Sequence, residues 1–480
     1  MSWNAASSVN SCARISNMLE SEDCTLLDLI KDDSIKNALK RQIPHLFDFL
    51  IAHVDELINI ALGVTQTDYP PAQKNCFSII ITQIQAFTNR LIDNNVLMKC
   101  LNDFISTNET LTPAGAATFS RILQFLIQAS DSKIFGIFPD SKNLFQKLLK
   151  HVQHIAITNL LDFITDCENK TLLISFLEDN SATEVLIKCI SDDEDKNEKI
   201  FLFLTNIVAS ITNDSPLLSP FEEMPTMNKI FQKIMTTSSP HTASKAINLW
   251  YELTTQCESE EEEANNEDPL YESVFKLIVK KIPELCDFIG SSKPFLADKV
   301  SAVELLNVLI LSKIEIEQCV KDLIGKLFNQ IFEFPSHTIL QRSFLTLFNT
   351  FIVHDKNSCL ELIDKINMRP RIIEVFDKRY QIDVSYWGIL YNISAEIIKN
   401  YPELNTKDPK WAHFAAQCIC SMKEVIQNGY GGEVPEENSE ESENDDDMEF
   451  PLGNSQKSSL SSVVTKAPSK FNRDDDDGDE

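Results

Sequence analysis

Phe344-Leu345-Thr346-Leu347-Phe348-Asn349-Thr350-Phe351-Ile352 carries apolar side chains at Phe344, Leu347, Phe348, Phe351 and Ile352. Steps of three and four residues bring all five to one face of an α-helix. The stripe is wide, as a helix packed between neighbours requires. The same pattern returns at Val96, Leu97, Cys100, Leu101, Phe104 and Ile105, at Leu144, Phe145, Leu148, Leu149 and Val152, and at Ala302, Leu305, Leu306, Leu309 and Ile310. Helix starts are marked chemically as well. Thr112-Pro113, Ser239-Pro240, Asp268-Pro269 and Asp408-Pro409 each place a capping oxygen before a proline, which fits the first helical position because its missing N–H costs nothing there.

Composition points the same way. Among 480 residues there are 29 Phe and only 11 Gly, a balance suited to helices packed on helices rather than to a sandwich or barrel. No Asn-Gly or Asp-Gly pair separates alternating apolar runs, so hairpins are not expected. Helix follows helix across short polar joints, as in armadillo- or HEAT-like arrays with roughly 40 residues per unit. No strict sequence repeat is present, so the expected fold is an all-α, irregular armadillo/HEAT-like solenoid over residues 1–430. Acidic breaks are expected as solvated loops at Glu258–Asp268 and, smaller, at Ser191–Glu198. From about Gly431 the chain holds 16 acids and 4 bases with few apolar residues, so residues 431–480 are expected to form a disordered acidic tail.

The charge limits the partners. Of the net −29, −12 sits in the tail and −17 in the body. No basic stripe offsets it, which argues against nucleic acid and against anionic membranes and favours a basic partner surface. The 12 Cys are scattered singly and read as buried free thiols of a reducing compartment. The first residues lack the basic and apolar runs of a signal peptide, and no 18-residue apolar span occurs. A cytoplasmic protein is expected, with the nucleus also open to it.

Catalytic and metal motifs are missing. There is no P-loop, dinucleotide fingerprint or nucleophile elbow. His151 and His154 could share a helical face but have no third ligand, and Cys418 and Cys420 would point apart. No catalytic, cofactor or metal residue is therefore assigned. Ser191 and Ser442 each have an acid three positions on and are candidate phosphorylation sites for an acidophilic kinase.

The periodicity leads to a binding protein but does not name its partner. The N-terminal residues go further. Trp3, Met18-Leu19, Cys24-Thr25-Leu26-Leu27-Asp28-Leu29 and Lys40-Arg41-Gln42-Ile43-Pro44-His45-Leu46-Phe47-Asp48-Phe49-Leu50 resemble the opening of the SAPS-domain family, including its K-x-Q-N-x-x-L-x-D-F-L, with Ile43 where the family has Asn. Weaker likeness runs to about residue 425. Ile331–Gln341 stands where the family has F-F-K-Y-x-W-N-N-x-L-H, without the Trp, the two Asn or the His in register. Trp411 with Phe414 resembles the closing W-x-x-F. The resemblance implies a non-catalytic regulatory subunit that binds a protein phosphatase 6-type serine/threonine phosphatase catalytic subunit and directs it to substrates, often with an ankyrin-repeat third subunit. Trp3, Lys40, Gln42 and Asp48 are the candidate partner-binding residues. A helical-repeat adaptor of another class, a transport receptor or an assembly factor, is the alternative.

Overall fold

The structure is a computed structural model that describes residues 13–21, 23–43, 45–168, 170–258, 274–312, 318–378 and 385–422. All of these belong to the first compact unit of the chain, Met1–Met422. Trp3, Ser442, the acidic stretch after Glu258, the Asp268-Pro269 junction and the acidic tail lie outside the described residues.

Among the described residues the chain is helical and contains no strand. It is an irregular helical-repeat array. Its spine is a row of eight helices: α1 (Val54–Leu62), α2 (Pro113–Ala129), α3 (Ile155–Thr165), α4 (Glu194–Ser210), α5 (Pro240–Glu258), α6 (Ala297–Leu311), α7 (Thr338–His354) and α8 (Trp387–Asn400). Each packs on the next. Shorter helices form a second row behind it; Asn95–Ser106 packs on Leu144–Lys150, and Leu144–Lys150 on Ala182–Cys189.

The layer spacing is written in the hydrogen bonds. Asp48 meets Arg90, 42 positions on. His151 reaches the Ile105 carbonyl over 46 positions, Asn206 reaches Asp162 over 44, and Lys229 reaches the Ile187 carbonyl over 42. Arg369 pairs with Asp408 over 39, and the Tyr401 hydroxyl donates to the Lys356 carbonyl over 45. Bonds of one repeat length are what stacked layers that touch their neighbours produce.

Local chemistry sets the helix starts as the sequence implies. Thr112 Oγ1 accepts from Gly115 N at 3.1 Å, Ser239 Oγ from Thr242 N at 3.2 Å, and Asp408 Oδ1 from Trp411 N at 3.1 Å. The stripes are buried too. Leu144, Phe145, Leu148, Leu149 and Val152 are all in the core, as are the five apolar residues of α6 and of α7 named above. In the helix Asn95–Ser106 the stripe is shifted: Val96 is exposed and Met98 takes a core place.

One reading is corrected. Ser191–Glu198 is not a loop through its length. Asp193 caps α4 by accepting from Lys196 N at 3.1 Å, and Glu194 and Asp195 lie in the first helical turn. Carboxylates there face the positive end of the helix dipole, so a run that looks like a solvated break opens a 17-residue helix instead.

Gly115 shows how closely the layers approach. A Cβ at this position would lie 2.9 Å from the Leu62 carbonyl oxygen, 2.9 Å from Thr112 Oγ1 and 3.1 Å from Phe104 Cζ. Gly115→Ala should therefore destabilise the α1–α2 contact by about 1–3 kcal/mol, the usual cost of overpacking, and urea unfolding followed by dichroism would register it. A second expectation concerns the thiols. Burial pushes Cys76 and Cys359 up to about 12, whereas Cys420 is exposed. Since the thiolate is the nucleophile, iodoacetamide at neutral pH should label Cys420 quickly and leave Cys76 and Cys359 unmodified until the fold is opened. Prompt labelling of either buried thiol would contradict the packing described.

Candidate partner-binding surfaces

Lys40, Gln42 and Asp48 surround one tight corner. Lys40 ends the helix Ile35–Lys40. Gln42 follows at φ 52°, its N–H bonds the Leu39 carbonyl at 2.9 Å, and Ile43 N–H reaches back to the Ala38 carbonyl at 3.3 Å. This is a Schellman-type stop, with Ile43 as its buried apolar contact. The Ile at position 43, where the SAPS pattern has Asn, thus has a packing role. His45, also at positive φ, starts the next helix, Leu46–Ala52. Leu46 and Leu50 of that helix are buried, while Phe47 and Phe49 are half-buried against the core.

The polar residues of the corner differ in their engagements. Lys40 and Gln42 are exposed, and among the described residues neither side chain has a partner. Asp48 is exposed as well but holds Arg90 Nη1 at 2.5 Å, with His45 Nδ1 at 3.9 Å. An exposed pair of this kind contributes little, about 0–1 kcal/mol. Asp48 therefore has a cross-layer role that the sequence did not reveal, and Lys40 and Gln42 remain open to a partner.

A second surface lies around the Ile331–Gln341 segment. The helix Gln318–Glu333 ends there, and Pro335 forms the joint before α7. The Pro335 carbonyl accepts from Gln341 Nε2 at 2.7 Å and from Ser385 Oγ at 2.5 Å. His337 caps α7 through Nδ1, which accepts from Leu340 N at 3.2 Å. Opposite stands the loop Gly290–Pro294. Lys299 fastens it: this buried lysine donates from Nζ to the Ser291 and Lys293 carbonyls at 2.8 Å each. Burial holds its ammonium below the ordinary lysine range, with Asp298 acting the other way. Between loop and joint is a cleft of about 390 Å³ lined in part by Lys293, Phe295, Phe334 and His337. Leu296, Phe334 and Ile339 stand exposed near it. The signal available in the sequence was the pair Phe334 and Ile339 on either side of Pro335-Ser336, off any helical stripe.

The third surface is the exposed side of the spine, with polar contacts at the seams between its helices. Asp162 of α3 accepts from Asn206 Nδ2 of α4 at 2.9 Å, and Ser244 of α5 meets Ser301 of α6 at 2.8 Å. Glu252 and Glu304 lie on α5 and α6. Burial raises both carboxyls above the ordinary range, as it does Asp162, while Arg342 opposes the shift at Glu304. Glu304 is nevertheless exposed, so its carboxylate is open to water on one side and hemmed in by protein on the others. Individually these residues carried no motif, and only the stacking brings them together.

Ser191 is exposed, but its backbone is tied to the start of α4. Its N–H donates to Asn197 Oδ1 at 3.0 Å, and its carbonyl accepts from Asn197 Nδ2 at 2.7 Å. His151 is buried, with Nε2 3.2 Å from the Ile105 carbonyl oxygen. Among the described residues no group of three His, Cys, Asp or Glu gathers as a metal site would require, and no helix is long and apolar enough to cross a membrane.

The sequence matches no protein-family model. It is similar to individual proteins. Serine/threonine-protein phosphatase 6 regulatory subunit 3 of Gallus gallus is 22% identical over 250 residues, covering 47% of this chain and 28% of that protein. Regulatory subunit 2 of the same phosphatase from Mus musculus is 24% identical over 216 residues, covering 42% and 23%. Extragenic suppressor of kinetochore protein 1 of Schizosaccharomyces pombe is 19% identical over 254 residues, covering 47% and 30%. The matched region is thus less than a third of each relative's length. The first two are named as regulatory subunits, not catalytic ones, and the helical array is not a phosphatase catalytic fold. Across somewhat under half its length, the chain is similar to regulatory subunits of serine/threonine-protein phosphatase 6.

Proposed function

We propose that this chain is a non-catalytic scaffold that binds a serine/threonine phosphatase catalytic subunit of the protein phosphatase 6 type and directs it to substrates. The observation that carries the proposal is the likeness to regulatory subunits 2 and 3 of that phosphatase. The architecture supports it. A row of stacked helices offers a long surface with no closed active site, as a scaffold needs. An ankyrin-repeat third subunit and a cytoplasmic setting, with access to the nucleus, belong to the same proposal. A helical-repeat adaptor of another class, such as a transport receptor or an assembly factor, would share the array, and the identity of the bound catalytic chain separates the two.

Docking at the N-terminal corner is part of the proposal. Lys40 and Gln42 are exposed without partners among the described residues, and Trp3 is its further candidate anchor. The test variants follow from the geometry. Gln42→Gly removes the side chain and keeps the positive φ, where Ala would be strained. Lys40→Ala and Asp48→Asn complete the set. The triple variant should bind a purified protein phosphatase 6-type catalytic subunit about five- to a hundredfold more weakly, the span of about 1–3 kcal/mol for one or two hot-spot residues. Isothermal titration with the parent and variant chains, matched in helical content, measures this. Unchanged affinity in a folded variant would remove the corner from the interface. Failure of the parent chain to bind would defeat the function itself.

A further inference from the structure

The cleft between the Gly290–Pro294 loop and the joint at Pro335 is built on both sides. A buried lysine costs stability unless its donors are met, and Lys299 meets two of them on the Ser291 and Lys293 carbonyls, at 2.8 Å each. Those bonds set one wall. The other wall is set at Pro335, whose carbonyl takes both Gln341 and Ser385. Walls fixed in advance lower the ordering cost of binding. The space between them is about 390 Å³, at the low end of the roughly 300–1,000 Å³ of ligand pockets. It suits one bulky side chain and the backbone that carries it.

The lining combines aromatic rings with three polar groups that have no use inside the fold. His337 stands edge-on to Phe295, ring centroids 6.1 Å apart. Because its Nδ1 accepts from Leu340 N, the hydrogen of the neutral ring sits on Nε2, and among the described residues that donor has no acceptor. Lys293 belongs to the loop, and Glu333 ends the helix Gln318–Glu333 on the opposite wall. Both are exposed, neither has an ion-pair partner among the described residues, and they do not pair with each other. Opposite charges that face one cleft unpaired are complementary to an occupant with an acid at one end and a base at the other.

The apolar surface continues past the mouth. Leu296, Phe334 and Ile339 are 45%, 51% and 54% exposed, among or beside the lining residues. Clustered exposed apolar side chains mark protein contacts, and a small molecule filling the cleft would leave these uncovered. The occupant that fits is a stretch of polypeptide.

We propose that this cleft is a docking pocket for a short segment of a partner protein, one that presents a bulky apolar side chain between an acidic residue and a basic one. This goes beyond the phosphatase reading and does not depend on it, since the catalytic subunit is placed at the N-terminal corner.

The probes are two fluorescein-labelled peptides, Gly-Ser-Asp-Phe-Lys-Ser-Gly and Gly-Ser-Lys-Phe-Asp-Ser-Gly, titrated with the full chain at physiological salt and followed by anisotropy. One order should bind saturably and at least threefold more tightly than the other, and Ala in place of the peptide's Phe should cost at least tenfold. Because Lys293 and Glu333 are both exposed, the double variant Lys293→Glu, Glu333→Lys keeps the fold and should reverse which order binds better. Phe334→Ser should weaken binding at least tenfold with helical content unchanged. Ile339→Ser, at the exposed start of α7, carries a loss of at least threefold should Phe334→Ser fail to fold. Val353→Ser, at a 78% exposed apolar position near the far end of α7, should bind as the parent does, and so should the triple variant of the N-terminal corner. No saturable binding by either peptide, an order preference that survives the charge exchange, or an equal loss in Val353→Ser would each overturn the proposal. So would binding of N-acetylphenylalanine amide as tight as that of the better peptide, since a small molecule would then suffice.

Discussion

No helix of the spine can cover its own flanks. α6 shows this most plainly: nine of its residues are buried, including Lys299, Ser301 and Asn307, and they face every direction but the one marked by Ala297, Glu304 and Leu311. Such a helix is held only when α5 stands on one side, α7 on the other and the second row behind. Each fully buried large apolar side chain contributes about 1.5–3 kcal/mol, and here almost every such contribution is made between layers rather than within one. The array, the cross-layer bonds of near-constant span and the long exposed face all follow from that dependence.

Much of this was legible in the residues and some was not, for physical reasons. The stripes of Leu144–Val152, α6 and α7 could be read because burial on a helix has a period, and three of the capped prolines lie where their chemistry places them. Ser191–Glu198 misled because acidity signals both a solvated loop and a helix N-terminus, and only the cap by Asp193 distinguishes them. The second role of Asp48 was hidden because Arg90 comes close only after folding.

The surfaces differ in how firmly they are built. The cleft beside Pro335 is shaped by a single lysine: Lys299 Nζ donates to two carbonyls of the facing loop. The N-terminal corner is set by backbone, through the reversed φ of Gln42 and His45. The polar face of the spine is set by neither, but by the repetition of layers. A change in loop chemistry would alter the first, a change in turn residues the second, and only a change in stacking the third.

The bond between Ser244 and Ser301 spans 57 positions, against 42 to 46 for several others, yet it joins adjacent layers just as they do. The extra length is accommodated in the connection between α5 and α6 while the two helices keep their contact. The distance along the chain between two touching layers is thus a separate quantity from their distance in space, and only the second is held by the packing.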